Sequence, residues 1–355
     1  MSAARAVATV AQLDSFDEII DVRTPSEYAE DHVPGAVSRP VLSDEERARV
    51  GTVYRQVSAF NGKRIGAALV ARNIAQHVET SFAERPKSWR PIVYCWRGGK
   101  RSEAMAHVLR EIGWDAHRLE GGYKAFRRSV ITDLPQLARR MRFRVVCGLT
   151  GSGKSRLLGT LHRLGAQVLD LEALAAHRGS VLGSLPDAPQ PSQKMFEGRL
   201  WHRLGCLDAR FPVFVESESK RIGALHVPDE LMTALWASAC VRVEMDPAVR
   251  VELLKAEYAH FLSDPEALYP RLGLLTPQHG RAVVARWMDM GQRGDWDTLV
   301  WELLERHYDP AYTRSIGAHY PQLSEARHVY IGSYSEDSFT AAARSLMGTP
   351  ATTAA

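Results

Sequence analysis

The sequence has few cysteines and places none of them in a paired motif. Four cysteines are spread over 355 residues without a CxxC pair, which argues against a disulfide framework or a zinc site. No apolar run approaches the length of a membrane span, and the N-terminus lacks the charged and apolar regions of a signal peptide. No haem or flavin ligand pattern is present. These absences predict a reduced cytoplasmic protein with no haem, flavin, zinc or membrane partner.

Charge of either sign is also not in large excess. The chain carries 45 Lys and Arg against 41 Asp and Glu, a net charge of +4. This mildly basic balance is compatible with a polyanionic partner but does not establish one. The length predicts two domains, each able to bury its own core.

A cysteine loop follows a predicted buried strand at residues 92–94. Its glycines allow backbone N–H groups to form an anion nest, and a helix is predicted to open at Ser102. The nest, the helix dipole and the neighbouring cations favour a thiolate, so Cys95 is predicted to be a nucleophile. The predicted anion-holding residues are Cys95, Trp96, Arg97, Gly98, Gly99, Lys100, Arg101 and Ser102, with Cys95, Arg97 and Arg101 assigned to catalysis.

Three further motifs accompany this loop in a fixed order: residues 21–28, residues 32–36 and residues 119–123. Strands alternate with helices around them, which predicts a parallel α/β sheet with the active loop at a strand's carboxyl end. Together the four motifs resemble the rhodanese family over residues 10–130. The resemblance implies a persulfide or selenopersulfide carrier at Cys95. Asp21 and Arg23 are predicted to be a structural ion pair.

The cysteine loop departs from the common rhodanese pattern in its length. Five residues separate Cys95 from Arg101, whereas common sulfur-transferring rhodaneses have four. The longer spacing, followed by serine, is also that of cysteine-dependent phosphatases, in which the arginine makes bidentate contacts to phosphate. A phosphatase also needs a placed carboxylic acid, and no single residue is identified for that role. Because the spacing matches, the phosphatase alternative stays open even though its acid is not identified.

A second phosphate-binding pattern, G-x4-G-K-S, follows a predicted strand at residues 142–147 and opens a predicted helix. This context is typical of a P-loop, in which glycine N–H groups approach phosphates closely. Lys154 is predicted to be catalytic through its charge, and Ser155 is the candidate Mg²⁺ ligand. The predicted pyrophosphate-binding residues are Gly148, Thr150, Gly151, Ser152, Gly153, Lys154 and Ser155.

Two glutamates, Glu216 and Glu218, end the predicted apolar strand at residues 211–216. Three roles stay open for them: orienting Mg²⁺ through water, acting as a base, or capping the turn. No adenine or guanine reader is visible in the sequence. The P-loop therefore indicates pyrophosphate binding more directly than nucleotide binding.

The whole chain except its last few residues resembles the bacterial tRNA 2-selenouridine synthase family. The resemblance is carried by the cysteine loop, the P-loop and three more motifs. These motifs are Leu171-Glu172 with residues 177–180, Gln190-Pro191-Ser192-Gln193 with Phe196-Glu197, and residues 216–219 with Ile222-Gly223. The resemblance implies a tRNA partner whose anticodon region carries a wobble 2-thiouridine. It further implies that geranyl diphosphate alkylates the sulfur and that selenophosphate then supplies the replacing selenium.

This implied chemistry suits both loops. A P-loop with Lys154 and Mg²⁺ would stabilise the pyrophosphate leaving group, and the longer cysteine loop would hold selenophosphate. An apolar pocket for the geranyl chain is expected, and a protein supplying selenophosphate is a further candidate partner. The predicted contacts to the tRNA backbone are Arg139, Arg140, Arg142, Arg178, Lys220 and Arg221.

The predicted fold class is α/β, with a rhodanese-like parallel-sheet domain followed by a P-loop α/β domain with a helical C-terminal part. The predicted limits are 1–128 for the first domain, 129–142 for a helical connector, 143–347 for the P-loop domain and 348–355 for a disordered tail. Two rival functions remain: an ATP-dependent kinase or sulfurtransferase, and a non-catalytic RNA-binding or regulatory protein whose rhodanese domain has lost its activity.

Overall fold

The computed structural model describes residues 6–179 and 189–348. The chain forms two compact units, one of residues 1–134 with 191–202 and one of residues 135–190 with 203–355. Ser180, the last residue of the family motif at residues 177–180, lies outside the described residues, as do residues 349–355 of the predicted tail.

The first unit is built on a five-stranded parallel sheet of order β1-β5-β4-β2-β3. Its central strand β4 is buried along its whole length, as expected for a parallel sheet covered on both faces. Ile20, Val93, Met105 and Leu109 belong to the core between this sheet and its helices. The strands are β1 (Val7–Ala8), β2 (Glu18–Asp21), β3 (Val37–Ser38), β4 (Pro91–Tyr94) and β5 (His117–Leu119).

Capping motifs in the sequence mark the starts of the first two helices of this unit. Thr24 and Glu27 form a capping box at the first helix, and Ser43 and Glu46 form another at the second; each box satisfies backbone N–H groups that the first turn leaves free. The boundary between the two units falls inside the fifth helix. The helices are α1 (Pro25–Glu30), α2 (Asp44–Gln56), α3 (Ala59–Thr80), α4 (Lys100–Ile112) and α5 (Gly122–Arg140).

The second unit contains another five-stranded parallel sheet, of order β12-β11-β6-β8-β7. Strand β6, which leads into the P-loop, is central and mostly buried. A short antiparallel pair, β9 with β10, is separate from this sheet. The strands are β6 (Arg142–Cys147), β7 (Gln167–Leu169), β8 (Pro212–Glu216), β9 (Arg221–Ile222), β10 (Leu225–His226), β11 (Ala239–Glu244) and β12 (Arg327–Tyr330).

Helices dominate the C-terminal part of this unit, and some of them enclose a second apolar core that includes Phe261, Trp287 and Leu299. A π-helical turn, Leu304–Tyr308, follows α15 directly. The helices are α6 (Lys154–Arg163), α7 (Leu171–Ala175), α8 (Gln193–Gly205), α9 (Asp229–Trp236), α10 (Pro247–Glu257), α11 (Ala259–Ser263), α12 (Tyr269–Gly273), α13 (Thr276–His279), α14 (Arg281–Gln292), α15 (Trp296–Leu303), α16 (Asp309–His319) and α17 (Glu336–Met347).

The predicted fold class is confirmed: two parallel α/β sheets, with a helical C-terminal part. Within the described ranges, no helix is both long enough and apolar enough to cross a membrane. Residues 191–202, which include part of a family motif, pack within the first unit. There Glu197 pairs with Arg127 at 2.7 Å, and Trp201 packs edge-on against Phe126.

Candidate functional sites

Cys95 follows the end of strand β4 and is the centre of the first candidate site. Its Sγ atom accepts hydrogen bonds from the Gly99 N–H at 3.2 Å and the Ser102 hydroxyl at 3.3 Å. The residue is 4% exposed, and α4 begins at Lys100 with its positive end toward the loop. The predicted strand–loop–helix arrangement is therefore confirmed, and two donors are aimed at the sulfur.

The Gly121-Gly122-Tyr123 motif packs against the cysteine loop. The Tyr123 N–H donates to the Cys95 carbonyl oxygen at 2.9 Å. Gly122 has a φ of +60°, and a Cβ atom at this position would lie 2.2 Å from the same oxygen. Only glycine combines that backbone conformation with so close an approach. The motif thus fixes the shape of the cysteine loop.

The buried ion pair beneath the loop matches its prediction. Arg23 and Asp21 lie 2.6 Å apart, and both side chains are almost wholly excluded from solvent. The Arg23 guanidinium also stacks over the Tyr123 ring at 4.1 Å. The indole of Trp96, which is 37% exposed, stacks in turn on the Tyr123 ring. The pair is structural, as predicted, and it supports an aromatic side chain that reaches the surface next to Cys95.

The three cations of the loop differ in their surroundings. Arg97 and Lys100 are exposed, so both are accessible to an anion. Arg101 is mostly buried and pairs with Glu27 at 3.0 Å. Burial alone would raise the pKa of Glu27, but the hydrogen bond and charge of Arg101 outweigh it and lower that pKa. Arg101 therefore already has a carboxylate partner, a feature that its spacing from the cysteine did not reveal.

The P-loop forms the second candidate site, between β6 and α6. The Lys154 ammonium donates to the Gly148 carbonyl at 2.8 Å and lies 3.4 Å from Glu216. At Gly151 the φ is +77°, and an added Cβ would come within 2.8 Å of Leu254. The predicted strand–loop–helix context is confirmed, and the backbone angle at Gly151 favours glycine, with the Leu254 side chain packed close against it.

Three carboxylates meet beside Ser155. Its hydroxyl lies 2.9 Å from Glu216 and 3.2 Å from Glu172. With Glu218, these glutamates offer oxygen atoms that all lie within 4.8 Å of one another; we call them the glutamate cluster. Burial first, and then the charge of Glu216, raise the pKa values of both Glu172 and Glu218. Such mutual repulsion is the condition that a bound divalent cation relieves.

The donor set of this cluster suits Mg²⁺. Hydroxyl and carboxylate oxygens are the ligands that Mg²⁺ prefers, usually together with phosphate oxygens and water. Ser155 was predicted to be a ligand, and Glu216 and Glu218 were among the metal-orienting candidates. Glu172 was not assigned a site role from the sequence. Glu172 follows strand β7, which lies next to β8, and β8 is the neighbour of the P-loop strand β6. This position close to the P-loop is the signal that would have identified Glu172.

A cleft of about 590 Å³ opens over the P-loop and the glutamate cluster. Two of the residues that shape it were missed by the sequence analysis. Arg250 holds the Thr150 carbonyl at 2.6 Å and pairs with Asp309. The hydroxyl of Tyr312 accepts the Gly148 N–H at 2.5 Å. Both come from helices distant in sequence, and no local motif announces either.

The predicted tRNA contacts occupy different environments. Arg178 lines the cleft, donates to the Glu257 carbonyl at 2.8 Å and stacks on Tyr258. Lys220 pairs with Asp229 at 2.7 Å. The remaining candidates are exposed: Arg139, Arg140, Arg142 and Arg221. Their role in binding tRNA stays a prediction.

Comparison with known proteins covers both units. Residues 6–129 match the model of the rhodanese-like domain, and residues 141–269 match that of the tRNA 2-selenouridine synthase AAA domain. Both matches agree with the resemblances found in the sequence.

Several curated relatives are named tRNA 2-selenouridine synthase. One from Nitrosomonas europaea is 38% identical over 251 residues, which are 68% of this chain and 63% of the relative. One from Marinobacter nauticus is 36% identical over 68% of this chain and 65% of its own length. These two alignments therefore span slightly less than two thirds of each relative. One from Salmonella newport is 35% identical over 326 residues, or 83% of this chain and 87% of the relative. The chain belongs to the tRNA 2-selenouridine synthase family.

Proposed function

We propose that the protein replaces the sulfur of a wobble 2-thiouridine in tRNA by selenium, in two successive reactions. The observation that carries this proposal is the presence of two separate anion-binding loops in a chain of this family. One loop surrounds the thiol of Cys95, and the other carries Lys154 beside the glutamate cluster. Two different phosphorus-containing co-substrates, geranyl diphosphate and selenophosphate, would give each loop a ligand.

The first reaction is assigned to the P-loop cleft. The sulfur of 2-thiouridine forms a bond to C1 of geranyl diphosphate, the C1–O bond breaks, and the N3 proton of the base passes to solvent. The departing diphosphate takes the bonding electrons, so groups that stabilise its charge lower the barrier. Lys154 and the loop N–H groups would supply that stabilisation, and Arg250 supports the loop by donating to the Thr150 carbonyl at 2.9 Å.

Ser155 and the glutamate cluster are the residues that would hold Mg²⁺. When bound there, the ion would neutralise diphosphate oxygens. The same side chains keep the binding site oriented through the Ser155 contacts to Glu216 and Glu172.

The second reaction is assigned to the cysteine loop. The selenium of selenophosphate bonds to C2 of the base, and the C2–S bond breaks to release geranylthiol. Water then cleaves the selenium–phosphorus bond and releases phosphate. Alkylation in the first reaction is needed because a thiocarbonyl sulfur is a poor leaving group. Arg97 and Lys100 are the exposed cations that would attract the selenophosphate, and the Cys95 thiol, at the centre of the loop, would position its selenium for the attack on C2.

The substrate fixes the remaining elements of the proposal. The tRNA would be bound through its phosphates by exposed arginines and lysines, and the reaction would take place in the cytoplasm. A protein that makes selenophosphate is the natural supplier of the second co-substrate.

Mass spectrometry of the wobble nucleoside tests the proposal. Wild type, Cys95→Ala and Lys154→Ala would be incubated with 2-thiouridine tRNA and Mg²⁺, and with geranyl diphosphate, selenophosphate or both. We expect a geranylthio product with geranyl diphosphate alone, lost in Lys154→Ala. We expect 2-selenouridine with both co-substrates, lost in Cys95→Ala. Cys206→Ala, at an exposed cysteine, is the matched control and should behave like wild type.

Two other outcomes would favour the rivals. Hydrolysis of ATP that depends on Lys154 and accompanies modification would favour an ATP-dependent sulfurtransferase or kinase. Release of phosphate from phosphomonoesters that depends on Cys95 would favour phosphatase-like chemistry. An unchanged nucleoside under every condition would reject the synthase proposal.

A further inference from the structure

An apolar recess opens beside Thr150 of the P-loop. It is formed by α10, α11, α15 and the π-helical turn that follows α15. Its lining includes Leu254, Tyr258, Phe261, Leu299, Val300 and Leu303. We call this space the apolar recess. Many charged side chains line the cleft over the glutamate cluster, so an almost wholly apolar compartment next to it requires an explanation.

The recess and the cleft are adjacent and share lining residues. Thr150 of the P-loop and Leu254, Tyr258 and Tyr308 line both of them. Leu254 lies against the P-loop itself, since a Cβ atom at Gly151 would be 2.8 Å from its side chain. A ligand whose phosphates occupy the P-loop therefore has an apolar surface within reach of the atoms that follow the phosphates.

The chemistry of the lining selects the kind of ligand. Its one charged side chain, Lys255, is turned toward carboxylates, at 2.9 Å from Glu252 and 2.5 Å from Asp297. A nucleobase needs donors and acceptors in fixed positions, because its polar edge loses water on binding. The recess offers few such groups, whereas aliphatic and aromatic side chains favour a hydrocarbon.

We propose that the apolar recess is the subsite for the prenyl chain of the diphosphate substrate, with the diphosphate on the P-loop. This inference rests on the proposed function and adds a location for the chain, which the sequence did not provide. The hydrocarbon leaves water when it enters the recess, and this adds affinity that inorganic pyrophosphate lacks.

The size of the recess limits what it takes. Its volume is about 70 Å³, roughly half of the ~150 Å³ of an engineered apolar cavity that binds benzene. The recess therefore has room for the distal isoprene unit only if the partly exposed side chains of Leu254 and Tyr258 rotate outward. The carbons nearest the diphosphate stay in the cleft, where C1 is open to the thiouridine sulfur.

Val300 is the residue to change. It lines the recess and is only partly buried, so Val300→Phe fills the space while leaving the P-loop and glutamate cluster untouched. Val283→Phe is the matched control, because Val283 is also partly buried and packs on the apolar core that includes Leu299 and Leu303, without lining the recess. Val300→Leu is a milder filling variant in case the phenylalanine impairs folding, which circular dichroism would report.

The measurement is binding by calorimetry, with Mg²⁺ present, of inorganic pyrophosphate and of geranyl diphosphate. Wild type is expected to bind geranyl diphosphate at least about tenfold more tightly than pyrophosphate, because several methylene groups leave water. Val300→Phe should reduce this advantage to less than about threefold and leave pyrophosphate affinity unchanged. Val300→Leu should lie between the two, and Val283→Phe should match wild type.

The outcomes separate the two proposals. If neither diphosphate binds wild type, the assigned role of the P-loop fails, and the subsite fails with it. If both bind but the advantage of geranyl diphosphate is absent, or is unchanged in Val300→Phe, the subsite is rejected while the proposed function stands. An equal loss of affinity for both ligands in Val300→Phe also rejects the subsite. So does tight binding of ATP that Val300→Phe weakens as much as it weakens geranyl diphosphate.

Discussion

Gly122 lies directly against the carbonyl oxygen of Cys95, so closely that a Cβ atom at position 122 would be 2.2 Å from it. A substitution there must displace the cysteine loop. Gly122→Ala is therefore expected to abolish selenium transfer and to leave alkylation at the P-loop intact. The nucleoside assay described above would show geranylthio product accumulating without 2-selenouridine.

Gly35→Ala is the control for this variant. Gly35 also has a positive φ, +79°, but no atom lies within 4 Å of an added Cβ. Gly35→Ala therefore costs only the left-handed conformation of the alanine, roughly 1–2 kcal/mol, and should retain selenium transfer. Equal activity of the two variants would show that the contact with Cys95 does not shape the loop.

The buried pair of Asp21 and Arg23 predicts a large loss of stability when it is broken. Asp21→Ala leaves a guanidinium without its carboxylate at 1% exposure, which costs about 3–5 kcal/mol. Asp208→Ala breaks a pair of the same sequence spacing and the same 2.6 Å length, between Asp208 and Arg210, but that pair is at the surface. Solvent screens it, so its loss should change little.

Hydrogen exchange measured by mass spectrometry reports the stability of each unit separately. The amides of strand β4 should exchange much faster in Asp21→Ala, while those of β8 should change little in Asp208→Ala. Similar protection of β4 in wild type and Asp21→Ala would contradict the prediction.

In the glutamate cluster, Glu172→Gln is expected to raise the melting temperature without metal and to weaken the stabilisation that metal gives. Burial and then the charges of Glu216 and Glu218 raise the pKa of Glu172 to about 9. The folded chain then binds more protons at this site than the unfolded chain once the pH exceeds about 4.5, so stability is lost as the pH rises. Glu172→Gln removes that loss and should raise the melting temperature in a chelator at pH 8.

With Mg²⁺ and pyrophosphate present, the same variant should show a smaller rise in melting temperature than wild type, since ligand binding stabilises only the folded state. Glu257→Gln is the control, because Glu257 lines the cleft without belonging to the cluster. An undiminished Mg²⁺ effect in Glu172→Gln would remove this residue from the metal site.

His307 predicts a pH dependence on the acid side. Burial first, and then the charges of His279 and Arg314, lower its pKa below the ordinary 6.5. Its ring nitrogen lies 3.0 Å from that of His279. As the pH falls below about 6.5 the unfolded chain takes up a proton that the folded chain refuses, so the free energy of unfolding decreases.

The slope from this one group is at most about 1.4 kcal/mol per pH unit. Melting temperatures between pH 7.5 and 5.5 should fall less steeply in His307→Gln than in wild type. His107→Gln, at an exposed histidine, should follow the wild-type curve. A parallel fall in His307→Gln would exclude His307 as the cause.

The local motifs explain why much of the fold was predictable. Strand β4 with its cysteine loop, and strand β6 with its P-loop, are each continuous in sequence, so residue type and spacing fix their backbone. The capping box at Thr24 and Glu27 marks a helix start for the same reason. The Asp21–Arg23 pair was also predictable, because two residues along one strand end are neighbours in any fold of this class.

Contacts between distant segments were not predictable in this way. Arg101 was expected to face an anion, and only the folded chain brings Glu27 to it from 74 residues away. Glu172, Arg250 and Tyr312 reach the P-loop from three different elements. No local pattern marks Arg250 or Tyr312, and the position of Glu172 after a predicted strand does not by itself reveal its contact with Ser155.

The sequence by itself therefore determined the family, the two parallel α/β sheets and the two loops with their cysteine and lysine. Only the tertiary structure decided which carboxylates gather beside Ser155, which side chains hold the loops in shape, and where an apolar recess adjoins the P-loop. The physical reason is that loop conformation depends on neighbours along the chain, whereas charge clusters and cavities arise where separately encoded elements pack together.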